Sequence, residues 1–266
     1  MARNRVRTTV LPAALLASVL ALTAGCGGGS DSSSGDHKDG PPVVVATTTW
    51  EGAFAKAAGA QDVKVIVPPS VQHAPDYDPK PSDLAAVAEA DFVLYAPFEP
   101  YAEKIKEAAG SKAKLIEVNL DNDADKAGTE VARLGKTFGT GAAAAAWQKN
   151  FGTEYGALQR ELKAAWPGGK APAVVTQVFT AWSAKMAGAQ VVGTYGPEAV
   201  TAQQLSGLSA KKPALVLDNA HMSTGTVLPD SGAKQVKIVN FPGKDLDLLP
   251  VYRDAASALK KAMGGA

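Results

Sequence analysis

The sequence predicts an α/β protein of two lobes, each a mostly parallel sheet flanked by helices, joined by one long linking helix. Two observations lead to this fold. Short, continuously apolar runs alternate with Ala-rich, helix-like stretches in residues 43–125 and again in 168–266, as in parallel sheets that helices cover on both faces. Between them, residues 126–167 contain no strand-like run and are rich in Ala, Leu, Gln and Glu, which favour helix.

The first 25 residues are typical of a lipoprotein signal peptide. Three Arg and no acidic residue precede a short apolar run, and the segment "LTAGC" ends at Cys26, the only Cys in the sequence. This pattern predicts cleavage before Cys26 and a lipid anchor, including palmitate, on that residue. A spare thiol behind an ordinary secretory signal is the alternative. Residues 26–42, rich in Gly, Ser and Asp, predict a disordered tether.

The charge balance excludes one class of partner. Of the 27 basic and 26 acidic residues, the signal peptide takes three basic ones and no acidic one, so the mature chain carries a net charge of −2. Because no basic run remains that could follow a phosphate backbone, nucleic acid is not an expected partner. We expect a monomer on the extracytoplasmic side of the membrane, anchored there by its lipid.

In the N-terminal lobe, residues 43–125, strands and helices are expected to alternate along the chain. The predicted strands are 43–50, 63–69, 91–96 and 113–118, and the predicted helices are 51–59, 81–90 and 101–110. Ser82 is expected to cap the second helix, because its hydroxyl can accept a hydrogen bond from the amides of the first turn.

The linking helix and the C-terminal lobe follow. The helix is expected to start after Gly141 and to end before "PGG" at 167–169. In the second lobe we predict strands at 171–177, 189–196, 213–219 and 234–241, and helices at 180–188, 201–210 and 247–265. Pro250 fits the first turn of the last helix, where a missing N–H costs little.

Polar residues that follow these strands are the candidate site, because ligands of parallel sheets bind beyond the carboxyl ends of the strands. His73 and His221 each follow an apolar strand, and imidazole with carboxylate is a donor set for Zn²⁺ or, with more oxygen, Mn²⁺. The predicted metal ligands are His73, His221, Asp218 and Asp247, and the predicted cleft-lining residues are Gln177, Tyr77, Asp245 and Trp50. Exposed histidines and helix-capping aspartates are the alternative.

A resemblance adds to this interpretation. The stretch "VPPSVQHAPDYDPKPSDLAAVAEADFVLYAPFEPYAEKI" resembles the zinc/manganese solute-binding proteins of bacterial ABC importers, with matching features over residues 63–105. In that family a strand runs to a Val-Pro-Pro-Gly turn and a metal-binding His, followed by Tyr-Glu-Pro-x-Pro-Ser-Asp, and later by Ala-Asp and Glu-Pro. The resemblance implies two rigid lobes with a metal held between them, and a permease and an ATPase as partners.

The sequence also departs from the family pattern. The family's first His falls on Pro75, with His73 two residues earlier, and its second His has no counterpart in "NLDNDADKAG". The third ligand falls on Gln177, a poor ligand for a transition metal, while the last carboxylate falls near Asp247 or Asp245. If a metal binds, its ligand set is therefore expected to have been rebuilt around His73 and His221.

The expected function is capture of a divalent transition metal, preferentially Zn²⁺ with Mn²⁺ as the alternative, for delivery to an ABC importer. No enzymatic activity is expected, because no nucleophile lies beside a base in any recognisable motif. Two alternatives remain open. The same cleft could bind a metal complex or a small organic solute, or the protein could be a surface lipoprotein that has lost the metal site and holds a protein partner.

Overall fold

The structure, a computed structural model, describes residues 42–71 and 74–264. The predictions for the signal peptide, for Cys26 and for almost the whole tether concern residues outside these ranges, as does the prediction for His73. Among the described residues, no helix combines the length and the apolar character that crossing a membrane requires.

The first lobe is built on a four-stranded parallel sheet in the order β2-β1-β3-β4. Its strands and helices alternate as predicted. They are β1 (Val43–Ala46), α1 (Thr49–Ala57), β2 (Asp62–Val65), α2 (Pro81–Glu89), β3 (Phe92–Tyr95), α3 (Ala102–Ala109) and β4 (Lys114–Glu117).

Two further helices, α4 (Ala124–Phe138) and α5 (Gly141–Ala164), follow the first sheet. Helix α5 is the predicted long helix, and its 24 residues start and end close to the predicted bounds. Gly139 ends α4 with a φ of 75°, a left-handed conformation that glycine adopts without steric cost. The chain therefore turns sharply and packs α5 back against α4.

The second lobe repeats the topology of the first, with a parallel sheet in the order β6-β5-β7-β8. Its elements are β5 (Ala173–Gln177), α6 (Ala181–Ala187), β6 (Gln190–Tyr195), α7 (Ala202–Ser209), β7 (Leu215–Asn219), β8 (Lys234–Ile238) and α8 (Leu249–Ala262). Pro250 lies in the first turn of α8, as predicted. The fold class predicted from the sequence is confirmed.

One predicted cap is wrong. Helix α2 begins at Pro81, so Ser82 lies inside its first turn and Lys80 occupies the capping position. Asp83 supplies the acceptor instead, since its Oδ2 accepts a 2.9 Å hydrogen bond from the Lys80 N–H. Proline is favoured at the first helical position because its missing N–H would have no partner there. A cap at Ser82 would start the helix at Asp83, so this preference moves the start two residues earlier.

The lobes share an apolar core that runs through the linking helices. Phe54 of the first lobe, Leu134 and Phe151 of α4 and α5, and Trp182 and Tyr252 of the second lobe belong to one buried cluster. The Phe151 and Tyr252 rings meet edge to face with their centroids 4.9 Å apart. Burial of this kind contributes about 25 cal/mol per Å² of apolar surface, so it holds the lobes and the linking helices together as one folded unit.

Buried polar groups also connect the lobes. Asn122, which follows β4, donates from Nδ2 to the backbone carbonyl oxygen of Asn240 at 2.9 Å. The backbone carbonyl oxygen of Asn122 accepts from the Tyr252 hydroxyl at 3.0 Å. At the surface, Lys185 of α6 pairs with Asp123 and Asp125 at 2.8 Å each. The acidic residues at the start of α4 therefore form part of the contact between the lobes.

We expect the replacement Asn122→Ala to lower the free energy of unfolding by about 1–3 kcal/mol, because the buried carbonyl of Asn240 loses its donor. Urea denaturation followed by circular dichroism measures this. Asn150→Ala is the matched control, because Asn150 is exposed on α5, and we expect a change within about 0.5 kcal/mol. Equal effects of the two replacements would show that the contact contributes nothing specific.

Candidate functional site

A cavity of about 270 Å³ lies where the strand ends of the two lobes meet. The first lobe lines it with Thr48 and Thr49 after β1 and with residues that follow β2, namely Val67, Pro68, Pro69, Val71 and Ala74. The second lobe contributes His221 after β7 and Phe241, Pro242 and Gly243 after β8. The carboxyl ends of parallel strands are the expected place for a ligand site, so the structure puts a cavity where the sequence predicted the cleft.

His221 is the one imidazole among the described residues of the cavity wall. Strand β7 ends at Asn219, and the Asn219 Oδ1 accepts a 3.0 Å hydrogen bond from the His221 backbone N–H. This hydrogen bond stabilises the turn that brings His221 to the cavity. The imidazole packs edge to face on Phe241 with the ring centroids 5.0 Å apart. Partial burial lowers the pKa of His221 below its usual value. A neutral imidazole with a free lone pair is the form that binds a metal ion.

His73, the other predicted imidazole ligand, lies with Gln72 outside the described residues. Its nearest described neighbours in the chain, Val71 and Ala74, both line the cavity. The Val71 N–H donates to the carbonyl oxygen of Pro68 at 2.9 Å, which closes a tight turn that includes both prolines. The described part of this loop therefore lies at the cavity where the sequence predicted a ligand-bearing loop.

The predicted carboxylate ligands have hydrogen-bond partners of their own. Asp218 is fully buried in β7 and accepts three hydrogen bonds, from the Tyr195 hydroxyl at 2.7 Å, from Ser223 Oγ at 2.6 Å and from Gln235 Nε2 at 2.9 Å. Asp247 accepts from the Leu249 N–H at 3.0 Å, at the start of α8. Neither residue lines the cavity.

Asp245 is exposed close to the cavity rim. A Cβ atom placed on the cavity residue Gly243 would lie 3.2 Å from its Oδ1. The Asp245 backbone carbonyl accepts from Lys56 Nζ at 2.6 Å, a further contact between the lobes. Among the residues that the structure describes, no three His, Cys, Asp or Glu side chains are grouped so that they could hold a metal ion.

The remaining cleft-lining predictions concern Gln177, Tyr77 and Trp50. Gln177 is buried at the end of β5, where its Oε1 accepts from the Phe179 N–H at 3.1 Å. Tyr77 donates to Asp83 at 2.7 Å, and this hydrogen bond raises the pKa of its hydroxyl to about 12. The Trp50 ring meets Phe241 edge to face at 5.0 Å. Trp50 and His221 therefore contact the same phenyl ring from the two lobes.

A buried pair of carboxyl groups, Glu51 and Glu99, was not predicted from the sequence. Glu51 is fully buried and accepts from the N–H and the hydroxyl of Thr48, a residue of the cavity wall. Glu99 is 4% exposed and accepts from the Ala96 N–H and the Tyr101 hydroxyl at 3.1 Å each. The spacing of Thr48 and Glu51 is that of a capping box, which signals the helix start but not the depth of burial.

The two carboxyl groups affect each other. Burial raises the pKa of Glu51. Burial and then the negative charge of Glu51 raise the pKa of Glu99 to about 8. Two carboxylates that share a buried site cannot both ionise at low cost. The pair therefore retains a proton at neutral pH, and the neutral group keeps a second negative charge out of the first-lobe core.

The comparisons with known proteins agree with this architecture. Residues 44–133 match the sequence profile of the family described as "Zinc-uptake complex component A periplasmic". The matched segment holds the first sheet, the described part of the cavity loop and α4 up to residue 133. The resemblance to the zinc/manganese solute-binding proteins is confirmed in this lobe. No curated protein matches the chain in sequence.

Solved structures match both lobes. The laminin-binding protein Lbp of Streptococcus pyogenes has a TM-score of 0.62 at 18% identity, covering 85% of this chain and 100% of its own. Lmb of Streptococcus agalactiae, described as a bifunctional protein with adhesin and metal transporting activity, has a TM-score of 0.61 at 18% identity, covering 84% and 100%. FpvC of Pseudomonas aeruginosa, solved with Mn²⁺, has a TM-score of 0.61 at 17% identity, covering 85% and 98%.

Proposed function

We propose that this protein is an extracytoplasmic, lipid-anchored solute-binding protein of an ABC importer. It binds a divalent transition metal, Zn²⁺ in preference to Mn²⁺, in the cavity between its lobes and delivers the metal to a membrane permease that an ATPase drives. The lipid on Cys26 and the tether in residues 26–42 keep it near that permease. It catalyses no reaction.

One observation carries the proposal. The same cavity is lined by His221 from the second lobe and, from the first lobe, by Val71 and Ala74 on either side of His73 in the sequence. We propose His73 and His221 as the nitrogen ligands. Asp218 and Asp247 stay proposed oxygen ligands, and each would have to exchange a present hydrogen bond for the metal.

The family match supports the class of solute, because its description refers to zinc uptake. AdcA of Streptococcus pneumoniae, solved with Zn(II), has a TM-score of 0.56 at 18% identity, covering 84% of this chain and 58% of its own. Rigid lobes support the mode of binding. Apolar packing and the Asn122–Asn240 contact hold the two walls of the cavity in place before a ligand arrives, which reduces the ordering cost of binding.

Titration of the metal-free protein tests the proposal. Isothermal calorimetry with Zn²⁺, Mn²⁺ and Ca²⁺ should show one site per chain that binds Zn²⁺ most tightly. Ca²⁺ should not compete, because nitrogen donors suit transition metals and Ca²⁺ requires oxygen. The absence of binding by every transition metal, free or chelated, would contradict the proposal.

A further inference from the structure

The chemistry of the cavity wall does not suit a bare or hydrated metal ion. Its described side chains are mostly aliphatic or aromatic and include two threonine hydroxyls and one imidazole, that of His221, but no charged group. A tetrahedral Zn²⁺ needs four ligands. A divalent ion placed among apolar side chains without counter-charge carries a large desolvation cost.

The nearby aspartates, Asp218 and Asp247, already accept hydrogen bonds from other groups of the protein. Asp218 accepts three hydrogen bonds from within its own lobe, and its side chain is fully buried away from the cavity wall. Asp247 accepts the backbone N–H of Leu249 at the start of α8. Glu51 and Glu99 do not line the cavity, and the pair retains a proton, because burial raises both pKa values. The described part of the chain thus offers the metal one nitrogen and no free carboxylate in the cavity.

The cavity is also too large for an ion alone. A water molecule takes up about 30 Å³ in the liquid, so 270 Å³ corresponds to roughly nine waters. This volume is close to the lower limit of about 300 Å³ for pockets that hold small organic ligands. Pro68 and Pro69 from the first lobe and Phe241 and Pro242 from the second line the cavity, and their apolar surface suits that of an organic molecule.

We propose that the preferred cargo is a metal complex: a divalent transition metal already held by a small amino-carboxylate chelator, with His221 filling an open coordination position. The chelator supplies the missing ligands, its carboxylate supplies the counter-charge, and its organic part fills the cavity against the apolar wall. This inference rests on the proposed function: it names the chemical form in which the metal is bound, keeps His221 as a ligand and puts donors of the chelator in the places of Asp218 and Asp247.

The test compares Zn²⁺ alone with Zn²⁺ in the presence of equimolar L-histidine, an amino-carboxylate chelator, on the full mature protein. Calorimetry and equilibrium dialysis with labelled histidine measure the affinity and the composition of the complex. We expect micromolar or weaker binding of Zn²⁺ alone, binding at least tenfold tighter with histidine, and one histidine retained per bound metal.

The other outcomes separate the two proposals. Tight binding of Zn²⁺ alone, with histidine removing the metal, overturns the inference and leaves the proposed function standing. If Zn²⁺ alone binds weakly and histidine only removes it from the protein, the inference of a bound metal complex is overturned as well. No binding in either arm counts against the proposed function itself.

A pair of variants tests whether the cavity holds the chelator. Ala74→Leu narrows the cavity and should reduce the gain from histidine at least fivefold. Ala85→Leu, the matched control, lies exposed on α2 away from the cavity and should keep the full gain. An undiminished gain in the Ala74→Leu protein overturns the assignment of the chelator to this cavity.

Discussion

Replacement of His221 by Ala is expected to weaken Zn²⁺ binding by at least about 100-fold, because the metal loses a neutral nitrogen ligand that its binding free energy depends on. His221 is the one imidazole that the described cavity wall contains. His73→Ala should have a similar effect, and the double variant should bind no better than the weaker single one. Calorimetry of each variant, in the presence and absence of the chelator, gives these affinities.

His37→Ala is the matched control for these variants. It removes the remaining His of the sequence from the tether, far along the chain from both strand-end loops, and we expect it to bind as the parent protein does. Unaltered binding by the double variant of His73 and His221 would refute the ligand assignment. Since His221 is partly exposed, its loss should leave the melting temperature of the metal-free protein within a few degrees, which separates loss of a ligand from loss of the fold.

The second large effect concerns the buried carboxyl pair. The replacement Glu99→Gln is expected to stabilise the protein increasingly as the pH rises. The pKa of Glu99 is raised to about 8 in the folded protein, whereas it titrates near 4.5 in the unfolded chain. The contribution of this carboxyl group to the free energy of unfolding is therefore fully present below its pKa in the unfolded chain. It declines as the pH rises between the two pKa values, because only the folded chain must hold the proton.

Glutamine stays neutral, and its Oε1 can accept from the Ala96 N–H while its Nε2 donates to the Tyr101 hydroxyl oxygen. The variant therefore avoids this decline. We expect no difference from the parent protein at about pH 4.5 and a gain of about 2–4 kcal/mol at pH 8. Urea denaturation at a series of pH values measures it. Glu107→Gln, at an exposed position on helix α3, which follows Glu99 in the chain, should have the stability of the parent protein at every pH. A pH-independent loss of stability in Glu99→Gln would contradict the account.

The fold was readable from the sequence because buried parallel strands leave an unambiguous signal. Runs such as "VVVA" and "FVLY" are apolar without alternation, and the structure buries almost all of their side chains. The residues at which strands and helices begin and end were harder to predict from the sequence. The first strand was predicted to reach residue 50, but it ends at Ala46, because Thr48 caps a helix that starts at Thr49. The threonines at 47–49 are β-branched and therefore continue the strand pattern, but the hydroxyl of one of them, Thr48, also caps the helix.

The site was readable only in part. The strand-end rule singled out His221 and the proline-rich loop, and His221 and the described part of that loop line one cavity. The same rule could not show that the Asp218 side chain is held by Tyr195, Ser223 and Gln235, because successive side chains of a strand point to opposite faces and the choice of face depends on tertiary packing. The burial of Glu51 and Glu99 was not visible for a similar reason. A helix cap and a Glu-Pro step look the same whether exposed or buried.

The position of the bound metal tests directly whether the cavity is the metal site. Crystals grown with Zn²⁺ and with the Zn²⁺–histidine complex, measured at the zinc absorption edge, give anomalous difference maps that show where zinc lies. We expect one strong peak in the cavity between the lobes, about 2.0–2.1 Å from an imidazole nitrogen of His221. A fully occupied zinc site elsewhere on the protein, with the cavity free of anomalous signal, would contradict it.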